Sequence, residues 1–276
     1  MRNSLLVCLL GLSSVVMAQE SESSWKFTET SVFTGIGVQM SPMFTEKDVA
    51  EWSENDQWIT QDFTGYSQFG GLNSTTSSQF SANLGFRKTG IHNPSFRVGI
   101  SYKRLNSQVF GRYQDWSGPY DTLVSSQTGQ QYYVDTVRMR SVSAYWGADV
   151  LALDGAYMLQ TDLTRRWSFY GGIGLQAGIL FNQELQLARM ETFSETGMTY
   201  EMDVELEQRN YRMSTGFSST VYLPLGIDFR IGKKRPLWQQ VHLVYELRPS
   251  LSFQTMSSVS VVSPGVTQHF GLRITI

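Results

Sequence analysis

The run "VYLPLGIDFRIG", Val221 to Gly232, constrains the fold more than any other stretch of the chain. Val221, Leu223, Leu225, Ile227, Phe229 and Ile231 interleave with Tyr222, Pro224, Gly226, Asp228 and Arg230. A period of two places one set on each face of a β-strand. The same beat recurs. Phe80, Ala82, Leu84 and Phe86 alternate with Ser81, Asn83, Gly85 and Arg87. After a break at Thr89–Pro94, Phe96, Val98, Ile100 and Tyr102 alternate with Arg97, Gly99, Ser101 and Lys103, so the pair reads as a hairpin. Further strands are expected over Thr30–Met40, Thr136–Asp162, Phe169–Asn182, Val241–Phe253 and His269–Ile276, which makes about eight. In the long fourth strand the beat slips near Asp149-Val150-Leu151, which predicts a β-bulge there.

The connections alternate long and short. Thr89–Pro94, Thr164–Trp167 and Gly232–Pro236 are short and fall on one end with both termini. The long ones fall on the other: Ser41–Ser78, Asn106–Asp135 with a turn at Trp116-Ser117-Gly118-Pro119, and the acidic hairpin around Glu195-Thr196-Gly197. Even strand number, tight turns at one end and long loops at the other describe an outer-membrane barrel.

The N-terminus agrees. Met1-Arg2-Asn3, an apolar core from Leu5 to Val16 and light residues at Val16-Met17-Ala18 read as a secretory signal peptide cut after Ala18, leaving 19–276 as one barrel domain. The single cysteine, Cys8, lies within that leader, so the mature domain is expected to carry no disulfide and no zinc–thiolate site. No segment approaches twenty consecutive apolar residues, so a membrane location requires a barrel rather than helices. A formal charge of −2 argues against nucleic-acid binding.

Alternation alone does not say which face is inside. Three features favour the apolar face outward. Val221–Ile231 is about the 9–11 residues a tilted strand needs to cross a bilayer. Gly, Asn and charges of both signs share the opposite face: Arg87, Arg97, Asp228, Arg230, His242, Glu246, Arg248 and Arg273 are expected to form an interior polar network. Trp167, Phe169 and Trp238 sit by the short turns, and Tyr102 and Tyr211 toward the long loops, as at two membrane interfaces. Pro224 and Pro249 cut against this, because each removes a ladder hydrogen bond inside a strand.

The leader, the eight alternating strands and the terminal "HFGLRITI" together resemble small outer-membrane barrels of the OmpA/OmpX-like type, and "VYLPLGIDFRIG" with "WQQVHLVYEL" and the Gly-rich "FYGGIGLQAG" is similar to the PorT-like barrels of Bacteroidetes. The resemblance implies a closed, antiparallel, up-and-down, all-β transmembrane barrel. It implies outer-membrane lipid as surroundings, and barrel-assembly machinery that reads the C-terminal strand. This chain ends in Ile276 rather than an aromatic.

For chemistry the inventory is thin. Of three histidines, His92 lies in a short turn, while His242 and His269 fall on neighbouring inner faces. No His-x-Ser pair occurs, and Ser250 and Ser252 lie away from His242 along their strand. Interior hydrogen bonding is the simpler reading than catalysis, and a metal site from His242, His269 and Glu246 has no spacing motif behind it. No catalytic residue and no cofactor is expected. The loops carry the acids: Glu46, Asp48, Glu51, Glu54, Asp56 and Asp62 around Trp52 and Trp58, and a stripe of Glu201, Asp203, Glu205 and Glu207 opposite Tyr200, Met202, Val204 and Leu206. That stripe offers a surface to an extracellular or envelope protein, or to calcium, against the plainer reading of a solvated hairpin. The function expected is a non-enzymatic envelope barrel with a structural, surface-interaction or assembly role, and not a general porin. The alternatives are a secreted lipocalin-like binder, with its apolar faces lining a ligand cavity, and a lipid-modifying barrel enzyme.

Overall fold

A computed structural model describes residues 25–40, 44–68, 74–88, 94–161, 165–195, 203–232, 236–256 and 259–276. The expected signal peptide with Cys8, His92 in its turn, Glu201 and the hairpin tip at Thr196-Gly197 lie outside the described residues.

Eleven strands appear among the described residues: β1 (Trp25–Met40), β2 (Ser67–Gln68), β3 (Ser74–Lys88), β4 (Pro94–Val124), β5 (Gln131–Gln160), β6 (Trp167–Glu195), β7 (Asp203–Arg212), β8 (Gly216–Tyr222), β9 (Leu225–Arg230), β10 (Val241–Met256) and β11 (Val259–Thr275). Three short helices accompany them: α1 (Glu46–Trp52), α2 (Gln57–Thr60) and α3 (Pro236–Gln240). From β11 through β1, β3, β4 and β5 to β6, each strand pairs antiparallel with the next. β7, β8 and β9 run end to end along β6 as one stave. β8 and β9 pair with β10, and β10 pairs with β11, which closes the ring. The result is an eight-staved, closed antiparallel barrel. Its last residue joins the seam: the Ile276 N–H donates to the Thr28 carbonyl at 2.8 Å.

The closed ring settles which face is which. Val221, Leu223, Leu225 and Ile227 are exposed, while Tyr222, Pro224, Gly226 and Asp228 are buried. Around the ring the outward positions include Ile36 (69% exposed), Leu153 (70%) and Phe270 (60%), whereas inward Arg97 is 1% exposed and Glu246 and Arg273 are 0%. Apolar side chains therefore face outward, opposite to a lipocalin-like cup. Trp167, Phe169 and Trp238 are exposed beside the turn end, and Tyr102 is exposed toward the other rim. No described helix is long and apolar enough to cross a membrane.

Three details depart from what the sequence suggests. β5 keeps its beat, with Tyr145, Leu151 and Leu153 all outward; the extra residue lies on β6, where Gly147 pairs Glu184 but Asp149 pairs Phe181. Asn182 there takes φ 50°, a left-handed conformation that Asn tolerates. Trp116–Pro119 is no turn: β4 runs through it to Val124, with a register shift between Pro119 and Asp121. Here β4 pairs with β5 along one side, so the Gly-Pro pair shifts the register without ending the strand. The reversal comes at Ser125–Gln130, where Gly129 takes φ 69°. Finally, the connection between β10 and β11 is tight, since Met256 already pairs Val259.

β4, β5 and β6 span 31, 30 and 29 residues, against 15 for β3. β3 stops following β4 at Thr75–Ser107, so β4 to β7 continue past the rim as a projecting ribbon. Pro224 and Pro249 meet at one weak point. The ladder between β10 and the β8–β9 stave skips from Ser250–Tyr222 to Leu247–Leu225. Leu223 N–H still reaches the Pro249 carbonyl at 2.9 Å, and Gly172 N–H reaches the Pro224 carbonyl at 3.1 Å. Both missing donors are thus absorbed in a single break.

Candidate functional site

Two layers fill the ring. At the turn end the strands bring together Glu29 of β1, Arg87 of β3, Asp228 of β9, His242 of β10 and Arg273 of β11. Arg273 Nη1 reaches Asp228 Oδ2 at 2.8 Å and its Nε lies 3.5 Å from Glu29 Oε1. Arg87 Nη2 spans Glu29 (3.4 Å) and Gln160 Oε1 (2.9 Å). His242 Nδ1 is hydrogen-bonded to Asp228 Oδ1. In mid-barrel, Glu246 accepts two parallel bonds from Arg97, both 2.9 Å, and further bonds from Arg248 Nε and the Tyr170 hydroxyl. Fork-to-fork pairing is the strong geometry for a carboxylate and a guanidinium. Asp154 accepts from Gln176 Nε2 at 3.0 Å and from the Tyr222 hydroxyl, with Arg248 Nη1 at 3.5 Å.

Glycines give these groups their room. Tyr170 lies over Gly226, where a Cβ would meet its ring at 2.0 Å, and Tyr222 lies over Gly174 at 2.2 Å. Each Tyr–Gly pair is a cross-strand register pair, so the aromatic ring fills the space its partner leaves. Phe33 backs Arg97 and Arg248, at 5.1 and 5.7 Å from its ring centre. Arg230, at the turn end, is half-buried and makes no ion pair among the described residues. No group of His, Cys, Asp and Glu among the described residues is arranged to hold a metal ion. Neither His242 nor His269 is hydrogen-bonded to a described serine: their partners are Asp228 and the Thr267 hydroxyl.

Toward the loop end the interior turns apolar. Leu105, Val142, Ala144, Trp146, Val150, Leu180, Leu185 and Leu187 point inward there. The segment read as an acidic loop covers them. Thr45 N-caps α1 and forms a capping box with Asp48. Asp56 N-caps α2, its Oδ1 accepting the Trp58 N–H at 2.7 Å. The two caps tighten the chain so that Val49, Trp52, Trp58 and Ile59 bury their side chains in the mouth while Glu51, Glu54 and Asp62 stay out. The Thr45-x-x-Asp48 spacing ahead of Val49 and Trp52 is the signal from which sequence reading could have found this plug.

The plug is fastened to β4 and to β7. Arg112 of β4 donates to Glu46 Oε1 through Nε (3.1 Å) and Nη2 (2.6 Å). Arg209 of β7 donates to Asp56 Oδ2 at 2.8 Å and covers the Trp58 ring at 4.0 Å. The Tyr211 hydroxyl donates to the same carboxylate oxygen, so Tyr211, expected at a membrane interface, serves the latch. Burial raises the Asp56 pKa, but Tyr211, the Trp58 N–H and Arg209 outweigh it and hold it below its ordinary 3.8. Burial and the bond to Asp56 push Tyr211 up. Beside the plug, a cleft of about 420 Å³ opens between Phe44–Lys47 and the β4 bulge at Gln108–Arg112. Of the acidic stripe, Glu207 is exposed on β7 opposite Arg189, and Asp203 and Glu205 pair by backbone with Phe193 and Glu191.

No protein-family model matches the chain, and no curated protein matches it. Among solved structures it is similar to Neisserial surface protein A, at 11% identity over 93% of this chain and 100% of that one, with a TM-score of 0.34. It is also similar to Ail, the attachment invasion locus protein of Yersinia pestis, at 10% identity over 90% and 99%, with a TM-score of 0.27. A third is the transport unit of the autotransporter AIDA-I from Escherichia coli, at 12% identity over 95% and 94%, with a TM-score of 0.21.

Proposed function

We propose that the protein is an outer-membrane barrel, exported by a cleaved leader over residues 1–18. In this reading it neither conducts nor catalyses, and it presents the β4–β7 ribbon outside the cell as a rigid surface for an envelope or extracellular protein. One observation carries the reading: a belt of exposed apolar side chains encircles a closed ring whose interior is occupied by paired charges. Such a belt is at home in hydrocarbon, and the filled interior leaves no water path. The aromatic residues beside the turn end suit a headgroup interface. The plug supports a display role, because Glu46–Arg112 and Asp56–Arg209 tie the first loop to β4 and β7 and fix the base of the ribbon. The OmpA/OmpX-like or PorT-like subtype and delivery through barrel-assembly machinery by β11 belong to the same proposal.

Envelope fractionation with gel mobility before and after boiling tests it. The expected result is a protein that needs detergent and migrates faster unboiled. A chain that stays in solution without detergent contradicts the reading.

A further inference from the structure

Lys103 stands outside the ion-pair network. It points into the ring from β4, is 5% exposed, and makes no hydrogen bond or ion pair among the described residues. The buried carboxylates Glu29, Asp154, Asp228 and Glu246 are already taken by Arg87, Arg97, Arg248 and Arg273. An ammonium without a partner inside a ring of paired charges is costly unless something offsets its charge.

The pairing register shows what surrounds it. His269, Gly35, Gln79 and Lys103 form one inward row across β11, β1, β3 and β4. The next row is Arg248, Thr267, Gly37 and Ser77. Neither glycine carries a side chain, and the neighbours lean across β1 in their place: a Cβ on Gly35 would lie 2.7 Å from His269 Nδ1, and one on Gly37 2.2 Å from Thr267 Cγ2 and 2.9 Å from Ser77 Oγ. Gln79 Nε2, Arg248 Nη2, His269 Nδ1 and Ser77 Oγ are all buried without a partner. Lys103, Arg248 and His269 are near enough to interact electrostatically, and Asp154, which already carries Arg248, is the carboxylate that acts on Lys103. His269 Nε2 faces the Thr267 hydroxyl at 3.1 Å; when that hydroxyl donates, Nδ1 carries the ring proton and is one more donor.

We propose that these converging donors hold a small monovalent inorganic anion of the halide type, enclosed when the barrel closes. Lysine, arginine and a glutamine amide nitrogen supply hydrogens and no lone pairs. A halide accepts from all of them and neutralises the left-over charge. A water molecule accepts from about two donors and adds no negative charge against Lys103 and Arg248, which share Asp154.

Bromide is the probe. The full barrel, refolded from denaturant in bromide and crystallised, should show an anomalous peak within hydrogen-bond reach of Lys103 Nζ and Gln79 Nε2. Lys103→Met should lose the peak while keeping its boiling-dependent gel shift. As a second measurement, the unfolding temperature should fall by several degrees when chloride is replaced by the bulky anion gluconate, and Lys103→Met should abolish that difference. A water molecule at the site with no anomalous peak in the unaltered protein overturns the proposal, whether or not the variant folds. An anion effect of equal size in Lys103→Met overturns it as well.

Discussion

The turn-end half and the mouth of the barrel are built from the same strands by the same alternation, yet they are filled in opposite ways. Below the middle, inward positions carry Arg97, Glu246, Arg248, Asp228 and Arg273, and the lumen is closed by charge pairing. Above it, inward positions carry Leu105, Val142, Leu185 and Leu187, and the lumen is closed by Trp52, Trp58 and Ile59 from a loop. The two fillings fail differently. A buried ion pair loses most when one partner goes, because the other charge is stranded. An apolar plug loses transfer energy and leaves a cavity, and the loop can partly settle to fill it.

The largest effect should come from the charged half. Glu246→Ala strands Arg97, leaves Arg248 with Asp154 alone, and should lower the unfolding free energy by about 3–5 kcal/mol, read by urea titration in lipid vesicles. Next, Trp58→Ala should cost about 3 kcal/mol by the same titration and raise binding of a hydrophobic dye. Conductance across planar bilayers should stay at baseline, because the network below still fills the ring. A pore opened by Trp58→Ala would mean that the plug alone seals the barrel.

A smaller effect separates the latch from both fillings. Asp56→Asn should cost about 1–2 kcal/mol and expose the first loop to protease. The wild-type latch should also be acid-sensitive. The Asp56 carboxyl sits below its ordinary 3.8 when folded, so its contribution is present above that value and is lost as pH falls through the lower folded one. Tryptophan emission should shift to the red in that step, and Asp56→Asn should lack the step. The smallest effect is Glu46→Gln, below about 1 kcal/mol, since Glu46 is exposed and its pair with Arg112 is screened. A Glu46→Gln loss equal to that of Glu246→Ala would erase the contrast between buried and surface pairing.

The sequence makes one of these halves legible. Period two shows strands, and the charges on one face of Val221–Ile231 and Val241–Phe253 mark the inner wall. The mouth is hidden for a physical reason. Along β5 the alternation reverses its sign: the inward residues Val142, Ala144, Trp146 and Val150 are apolar and Ser141, Ser143, Gly147 and Asp149 stand between them, so a rule that turns every apolar residue outward puts this stretch inside out. The plug is hidden too, because its acids cap and solvate two short helices whose few apolar residues give no long helical period. Which carboxylate meets which arginine also stays out of reach. Glu246 and Arg97 are 149 residues apart, and only the closed ring brings them face to face.

The central claim is that the apolar face of the ring meets lipid. A spin-label scan with single cysteines from Val221 to Ile231, in a mature chain expected to contain no other cysteine, tests it most directly. Collision with oxygen, which concentrates in hydrocarbon, should peak at 221, 223, 225, 227 and 229 and fall at the positions between them. Collision with a water-soluble nickel complex should stay low along the run. Labels at 221, 223, 225, 227 and 229 that collide freely with the nickel complex and show no oxygen maximum would contradict the account.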